Sequence, residues 1–166
     1  MAATEKTGDL LVRLYDLPDT PADARMADAG ITVRRALPPE RYAVRDWIIE
    51  RFSPLWGGEA EIALSNLPTT IWLAVKDGQL LGFACHDASA KGFFGPTGVD
   101  ESVRGQGVGE ALLFATLRGM REAGYGYAII GDPGPVEFYQ KRLDAMVIPK
   151  SSPGIYAGML RARRMT

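Results

Sequence analysis

The sequence predicts an α/β protein, an α+β mixed sheet with helices on both faces, and three observations carry that prediction. Ile71 to Val75, the pair Asp77-Gly78, and Leu80 to His86 read as a hairpin, with a third strand beside it over about Gly92 to Val99. A loop with glycines at 105, 107 and 109 then runs straight into a long amphipathic helical pattern. A strand, a helix and two more strands follow. A meander of antiparallel strands that continues into a β-α-β crossover puts both strand directions into one sheet and helices on each side of it.

The predicted element order is β-α-α-β-β-β-α-β-α-β-β. Residues 1–30 form an N-terminal extension. In it, Leu10 to Tyr15 reads as an added edge strand, or as an extension packed on the core, before Leu17-Pro18-Asp19-Thr20-Pro21 breaks it. The main domain spans residues 31–166. Ile31 to Leu37 alternates as a strand does, and Pro38-Pro39-Glu40 opens a helix, since proline is tolerated in a first turn. Val44, Trp47, Ile48 and Phe52 place one apolar stripe on that helix; Ser53-Pro54 ends it, and Glu59 to Leu67 is a shorter second helix. The helix after Gly107 runs to about Ala123 and buries Val108, Leu112, Ala115 and Gly119, with Gly124 at its C-terminal cap. Tyr125 to Ile130 is a strand, Val136 to Leu143 a helix, and Met146 to Lys150 and Gly154 to Leu160 are the last two strands.

Composition narrows the function classes. A chain of 166 residues, 46% apolar and 23% charged, is the size of one domain with one sizeable core. Its net charge of −1 argues against nucleic acid as a partner, and Arg161, Arg163 and Arg164 read as a solvated tail. Met1 to Asp9 does not read as a signal peptide, and no stretch has the roughly 18 consecutive apolar residues of a membrane span. The expectation is therefore a cytoplasmic monomer or homodimer with no membrane partner. Cys85 is the one cysteine and His86 the one histidine, so a disulfide and a zinc site are not expected. Neighbouring strand residues point to opposite faces, so Cys85 and His86 do not form a nucleophilic dyad.

The segment Gly98-Val99-Asp100-Glu101-Ser102-Val103-Arg104-Gly105-Gln106-Gly107-Val108-Gly109 is the most informative. Glycines leave the backbone uncovered, so a ligand can approach its N–H groups closely. Those groups also lie at a helix N-terminus, whose free donors and dipole favour an anion, and Arg104 adds a positive charge. A phosphate or pyrophosphate fits this pattern; so does a turn that only lets strand and helix pack tightly. A Walker loop is excluded because Glu110 follows Gly109. The dinucleotide fingerprint fails because its third glycine would fall on Glu110 or Leu112.

Arg104-Gly105-Gln106-Gly107-Val108-Gly109 resembles the R/Q-x-x-G-x-G/A signature of the GNAT superfamily of N-acetyltransferases. Pro135-Val136-Glu137-Phe138-Tyr139-Gln140-Lys141 resembles that family's aromatic segment, and the element order from Ile31 onward is the family's order. The resemblance implies acetyl-CoA as cosubstrate, with no metal, and a coenzyme wedged where the third meander strand splays from the next. It implies that backbone groups of Thr97 and Val99 pair with the pantetheine arm. Arg104, Gly105, Gln106, Gly107, Val108 and Gly109 would hold the pyrophosphate, and Tyr139 would be the catalytic residue. Many members carry Asn near the end of the following strand, where this chain has Gly131-Asp132-Pro133-Gly134.

The implied reaction is transfer of an acetyl group to a primary amine of a small molecule or peptide by direct attack in a ternary complex. A non-catalytic acyl-CoA-binding or partner-binding module is the alternative on the same fold. An alkyl amine has a pKa of about 10.4, a free thiol about 8.5 and a tyrosine about 10. Full proton transfer from an ordinary tyrosine to the thiolate is thus uphill by about 2 kcal/mol, and a strong hydrogen bond from Tyr139 is the easier role. His86 reads as a hydrogen-bonded strand-end histidine rather than the base; Asp100, Glu59, Glu61 and water are the other candidates. The acceptor site implied by the resemblance lies between Phe52 to Glu61, with Trp56, and Ser151 to Tyr156. A weaker likeness to amino-sugar and cell-wall recycling enzymes makes an amino sugar one candidate acceptor.

Overall fold

A computed structural model describes residues 7–160 of the chain, so the tail arginines Arg161, Arg163 and Arg164, and most of the Met1 to Asp9 segment, lie outside the described residues. Seven strands form one mixed sheet in the order β2-β3-β4-β5-β6-β1-β7. The strands are β1 (Leu10–Arg13), β2 (Thr32–Arg35), β3 (Ile71–Lys76), β4 (Gln79–His86), β5 (Phe93–Val99), β6 (Tyr127–Ile130) and β7 (Met146–Val147). The helices are α1 (Ala22–Asp28), α2 (Arg41–Arg51), α3 (Pro54–Ser65), α4 (Val108–Glu122) and α5 (Val136–Leu143). Only β5 and β6 pair in parallel; every other neighbouring pair is antiparallel.

The hairpin β3–β4 turns through Asp77 (φ +50°) and Gly78 (φ +72°), two left-handed residues as a tight two-residue hairpin requires. Side chains alternate across its strands. Ile71, Leu73, Phe83 and Cys85 enter a core beneath α2 and α3, while Trp72, Ala74 and Ala84 enter a second core with α1, α4 and α5. Helices on both faces bury both sides of β3, which is why Ile71 to Val75 reads as an unbroken apolar run. α4 is enclosed on most of its circumference, with Val108, Leu112, Leu113, Leu117 and Met120 all buried. It closes on Gly124 (φ +100°): Tyr125 N–H donates to Met120 C=O and Gly124 N–H to Arg121 C=O, satisfying the last carbonyls.

Four elements differ from the sequence expectation. The segment read as an added edge strand, or as an extension packed on the core, contains β1, which lies inside the sheet, antiparallel to both β6 and β7, with Leu10 opposite Ile130 and Val147. Residues 22–28, read as irregular, form α1, which packs Ala22 and Met26 into the α4 core. α3 begins at Pro54 rather than Glu59, because Ser53 both follows α2 and caps α3, its Oγ accepting from Trp56 N–H at 3.2 Å. The last expected strand is absent: residues 154–156 form a 3₁₀ turn, no strand follows before Leu160, and β7 stops at Val147. Pro149 carries no N–H for a ladder, and Lys150 (φ +59°), Gly154 (φ +61°) and Gly158 (φ +75°) are all left-handed, so this stretch turns repeatedly.

Candidate active site

β5 and β6 pair only at Phe93–Ile129 and Phe94–Ile130. Beyond Phe94 the chain passes through Gly95 (φ +114°) and Pro96, and β5 carries an extra residue against β4 between Thr97 and Phe94. β5 then stays on β4, with Thr97 opposite Ala84 and Val99 opposite Gly82, while β6 ends. The β6-facing edge of residues 95–99 is left without a strand partner, and a cleft of about 720 Å³ opens there.

One wall of the cleft is aromatic. Phe52 lies flat on Gly98, where a Cβ would come within 2.5 Å of its ring, so only glycine allows this packing. Trp56 stacks on Phe52 at 5.0 Å, and both rings contact Phe83 from the core side. The opposite wall is α5. Tyr139 is 6% exposed, packs edge-on against Phe94 and Phe138, and burial pushes its hydroxyl up to about 12.

At the end of β5, Asp100 accepts from Ser102 N–H and from Arg51 Nε at 2.8 Å, which ties the loop to α2. Ser102 and Arg51 together hold the Asp100 carboxyl well below the usual carboxylate range. The glycine turn follows, with Gly105 (φ +79°) and Gly107 (φ +89°) both left-handed and Gly107 the N-cap of α4. The first-turn amides of α4 thus face the cleft with no intrahelical partner. Arg104 Nε lies 3.4 Å from Val99 C=O and its guanidinium 3.8 Å from Glu101.

The cleft brings together Thr97, Val99, Arg104, Gly105, Gly107, Val108, Gly109 and Tyr139 from the sequence expectation. Gln106 is exposed and does not line it. The sequence reading missed Arg25, Glu110, Phe138 and Arg142, all of which line the cleft. Arg142 follows Tyr139 by three residues and therefore shares its helix face, a signal open to sequence reading. Arg25 comes from α1 and had no such signal.

The candidate bases separate by position. His86 is 2% exposed, outside the cleft lining, and stacked 5.5 Å from Trp72. Its Nδ1 meets Asp87 Oδ2 at 3.0 Å, while Nε2 is buried without a hydrogen-bond partner among the described residues, so the ring is only half satisfied. Burial lowers the His86 pKa, outweighing Asp87. Glu61 pairs with Arg45, and Glu59 Oε1 accepts from Ser89 Oγ at 2.5 Å. Of the acceptor segments, Phe52 and Trp56 reach the cleft; Ser151 to Pro153 and Tyr156 instead line a small cavity of about 60 Å³ with Asp9 and Asp132. Among the described residues, no group of three or more His, Cys, Asp or Glu could hold a metal ion, and no helix is long and apolar enough to cross a membrane.

Residues 41–144 match the model of the acetyltransferase (GNAT) family. No curated protein matches the chain. Among solved structures it is similar to a GCN5-related glucosamine N-acetyltransferase region of a fungal multi-domain GH3 β-N-acetylglucosaminidase. That similarity has 15% identity and a TM-score of 0.70 over 85% of this chain and 19% of the other. It is similar also to a GCN5-related N-acetyltransferase from Sphaerobacter thermophilus, with 21% identity and a TM-score of 0.59 over 85% of this chain and 48% of the other. A GNAT family acetyltransferase from Brucella melitensis, solved in complex with acetyl-CoA, shows 25% identity and a TM-score of 0.45 over 57% of this chain and 70% of that one. The chain spans less than half the length of the first two. With more than half of its residues inside the matched region, and with the mixed sheet and the splayed strands in place, this chain belongs to the GNAT family of acetyltransferases.

Proposed function

We propose that this protein transfers the acetyl group of acetyl-CoA to a primary amine of a small molecule or peptide, by direct attack in a ternary complex. The observation that carries the reading is that one cleft of about 720 Å³ is lined both by the glycine turn at the α4 N-terminus and by the buried Tyr139. The turn and its amides suit the coenzyme's pyrophosphate, and the unpaired edge of β5 at Thr97 and Val99 suits the amide groups of its pantetheine arm. Family membership supplies the donor.

In this reading the amine nitrogen attacks the thioester carbonyl carbon, the C–S bond breaks, and the electron pair leaves on sulfur. The nitrogen sheds one proton, and the thiol released finally carries one, so the reaction balances without a cofactor. With its hydroxyl near 12, Tyr139 lies about 3.5 units above a thiol of about 8.5, which makes full proton transfer uphill by about 5 kcal/mol. Tyr139 therefore acts by donating a hydrogen bond to the developing thiolate. Asp100, Glu59, Glu61 and His86 all lie outside the cleft lining, and Glu110 is held by Arg142 and Thr20, so the amine's proton passes to water.

The small second cavity beside Tyr156 is acidic. Burial raises the Tyr156 hydroxyl, and the carboxylates of Glu59, Asp132 and Asp9 add to that rise, so three negative groups surround one aromatic ring. Thiol release from acetyl-CoA across alkyl amines, peptides and amino sugars tests the proposal; glucosamine belongs in the panel because of the fungal region's fold. We expect turnover with at least one class. Saturable acetyl-CoA binding with no turnover on any of them would make the protein a coenzyme-binding module instead.

A further inference from the structure

We infer that Arg25, on a helix outside the family-matched region, is a binding residue for the pyrophosphate of the coenzyme. The inference rests on the reading of the cleft as a coenzyme site. Arg25 lines that cleft, and its side chain lies across the glycine that caps α4. A Cβ built on Gly107 would sit 3.6 Å from Arg25 Cδ and 3.7 Å from Nη1. An anion seated on the first-turn amides of α4 is therefore within reach of the guanidinium, which offers a planar fork of donors matched to phosphate oxygens.

The position is fixed from below. Ala22 and Met26 are buried against α4, and Asp23 pairs with Arg118 of α4 at 3.1 Å, so α1 cannot swing freely away from the turn. The other cationic residues of the cleft are already engaged. Arg142 holds Glu110 at 3.2 Å and covers the Phe138 ring at 4.2 Å, and Arg104 leans on Val99 C=O and Glu101. Arg25 alone of the three has no ion-pair or hydrogen-bond partner among the described residues. An exposed, unpaired cation held beside a set of free amides is arranged for an anion and not for stability.

The test is titration calorimetry of the full chain with acetyl-CoA and with 3′-dephospho-acetyl-CoA, for the wild type, Arg25→Ala, Arg25→Gln and Arg25→Lys. Gln keeps much of the stem over Gly107, Ala is a good helix former, and apo melting checks that α1 stays docked. We expect Ala and Gln to weaken both coenzymes by about tenfold, the size of one charge-assisted hydrogen bond, with Lys recovering part of the loss. Undiminished binding in Ala and Gln would overturn the assignment while leaving the cleft reading intact. A loss confined to the 3′-phosphorylated coenzyme would overturn the pyrophosphate placement. A wild type that binds neither coenzyme would overturn the cleft reading itself.

Discussion

Glu110, in the first turn of α4, is gripped by Arg142 of α5, with Nε 3.2 Å from Oε2, so the two helices flanking the cleft are joined across its mouth. The Thr20 hydroxyl donates to the other oxygen of the same carboxylate at 2.9 Å. Among the described residues this is the one acidic side chain lining a site proposed to take a polyanion, and it sits where a helix N-terminus welcomes negative charge. Glu110→Gln should therefore separate stability from affinity. Apo stability should fall by about 0.5–1 kcal/mol, as a favourable dipole contact and a half-exposed ion pair are lost. Acetyl-CoA should bind about fivefold tighter, because removing one like charge from the lining of an anion site is worth about 1 kcal/mol at intermediate dielectric. Thermal melting with and without coenzyme measures both, and equal losses in the two states would refute the idea.

Tyr139→Phe deletes one hydroxyl and keeps the ring that packs on Phe94 and Phe138. We expect kcat to fall by tenfold to a thousandfold, about 1.4–4 kcal/mol, with coenzyme affinity nearly unchanged. Because its hydroxyl lies near 12, no pH–rate limb between pH 6 and 10 should belong to Tyr139. An unchanged kcat with chemistry rate-limiting would reduce Tyr139 to a packing residue.

His86 bears on stability and not on turnover. Burial lowers its pKa in the folded state, so below about 6.5, the unfolded value, the unfolded chain binds more protons than the folded one. Stability should then fall as pH drops from about 6.5 toward the folded pKa, and this contribution should be flat above about 6.5. His86→Gln should remove that slope in pH-dependent melting. The rate limb should track the pKa of whichever amine is supplied, in wild type and variant alike. A plateau rate lowered more than about a hundredfold in a folded variant would identify His86 as the base.

Gly119 of α4 lies directly against the Trp72 indole, and a methyl group there would overlap the ring. Trp72 in turn carries Arg35 on its face at 4.1 Å and meets the His86 ring. Gly119→Ala gains helix propensity, worth about 1 kcal/mol, but must displace a packed indole at a cost of about 1–3 kcal/mol. The expected outcome is net destabilisation of up to about 2 kcal/mol by chemical denaturation; a more stable variant would show that the indole moves freely.

Much of this architecture was legible because periodicity and turn chemistry agreed. Asp77-Gly78 demanded left-handed residues between two apolar runs, and Val136 to Leu143 was bounded by Pro135 and by the Asp144 turn at φ +50°. The glycine turn was legible for the same reason, as glycines were needed where φ is positive at 105 and 107. What stayed hidden depended on distant parts of the chain. α1 shows only Ala22 and Met26 as an apolar stripe, too short a pattern to register, and its docking on α4 placed Arg25 in the site. The last expected strand, Gly154 to Leu160, failed because its apolar residues were outweighed by left-handed Gly154 and Gly158. The packing of the His86 ring depended on Trp72 of the neighbouring strand, which no local spacing reveals.

The place of β1 between β6 and β7 reaches beyond the finished molecule, to the order in which it is built. Leu10, Val12 and Leu14 are fully buried in the native chain, yet the strand that covers one of their flanks, Tyr127 to Ile130, is synthesised only after β2 to β5. β1 is therefore slow to find its neighbours, since such distant pairings form slowly. Until β6 emerges it must wait as an unpaired apolar ribbon, the kind of edge that pairs with other chains. A chain released before Ile130 would keep that ribbon exposed, and aggregation should rise steeply for truncations on the near side of β6.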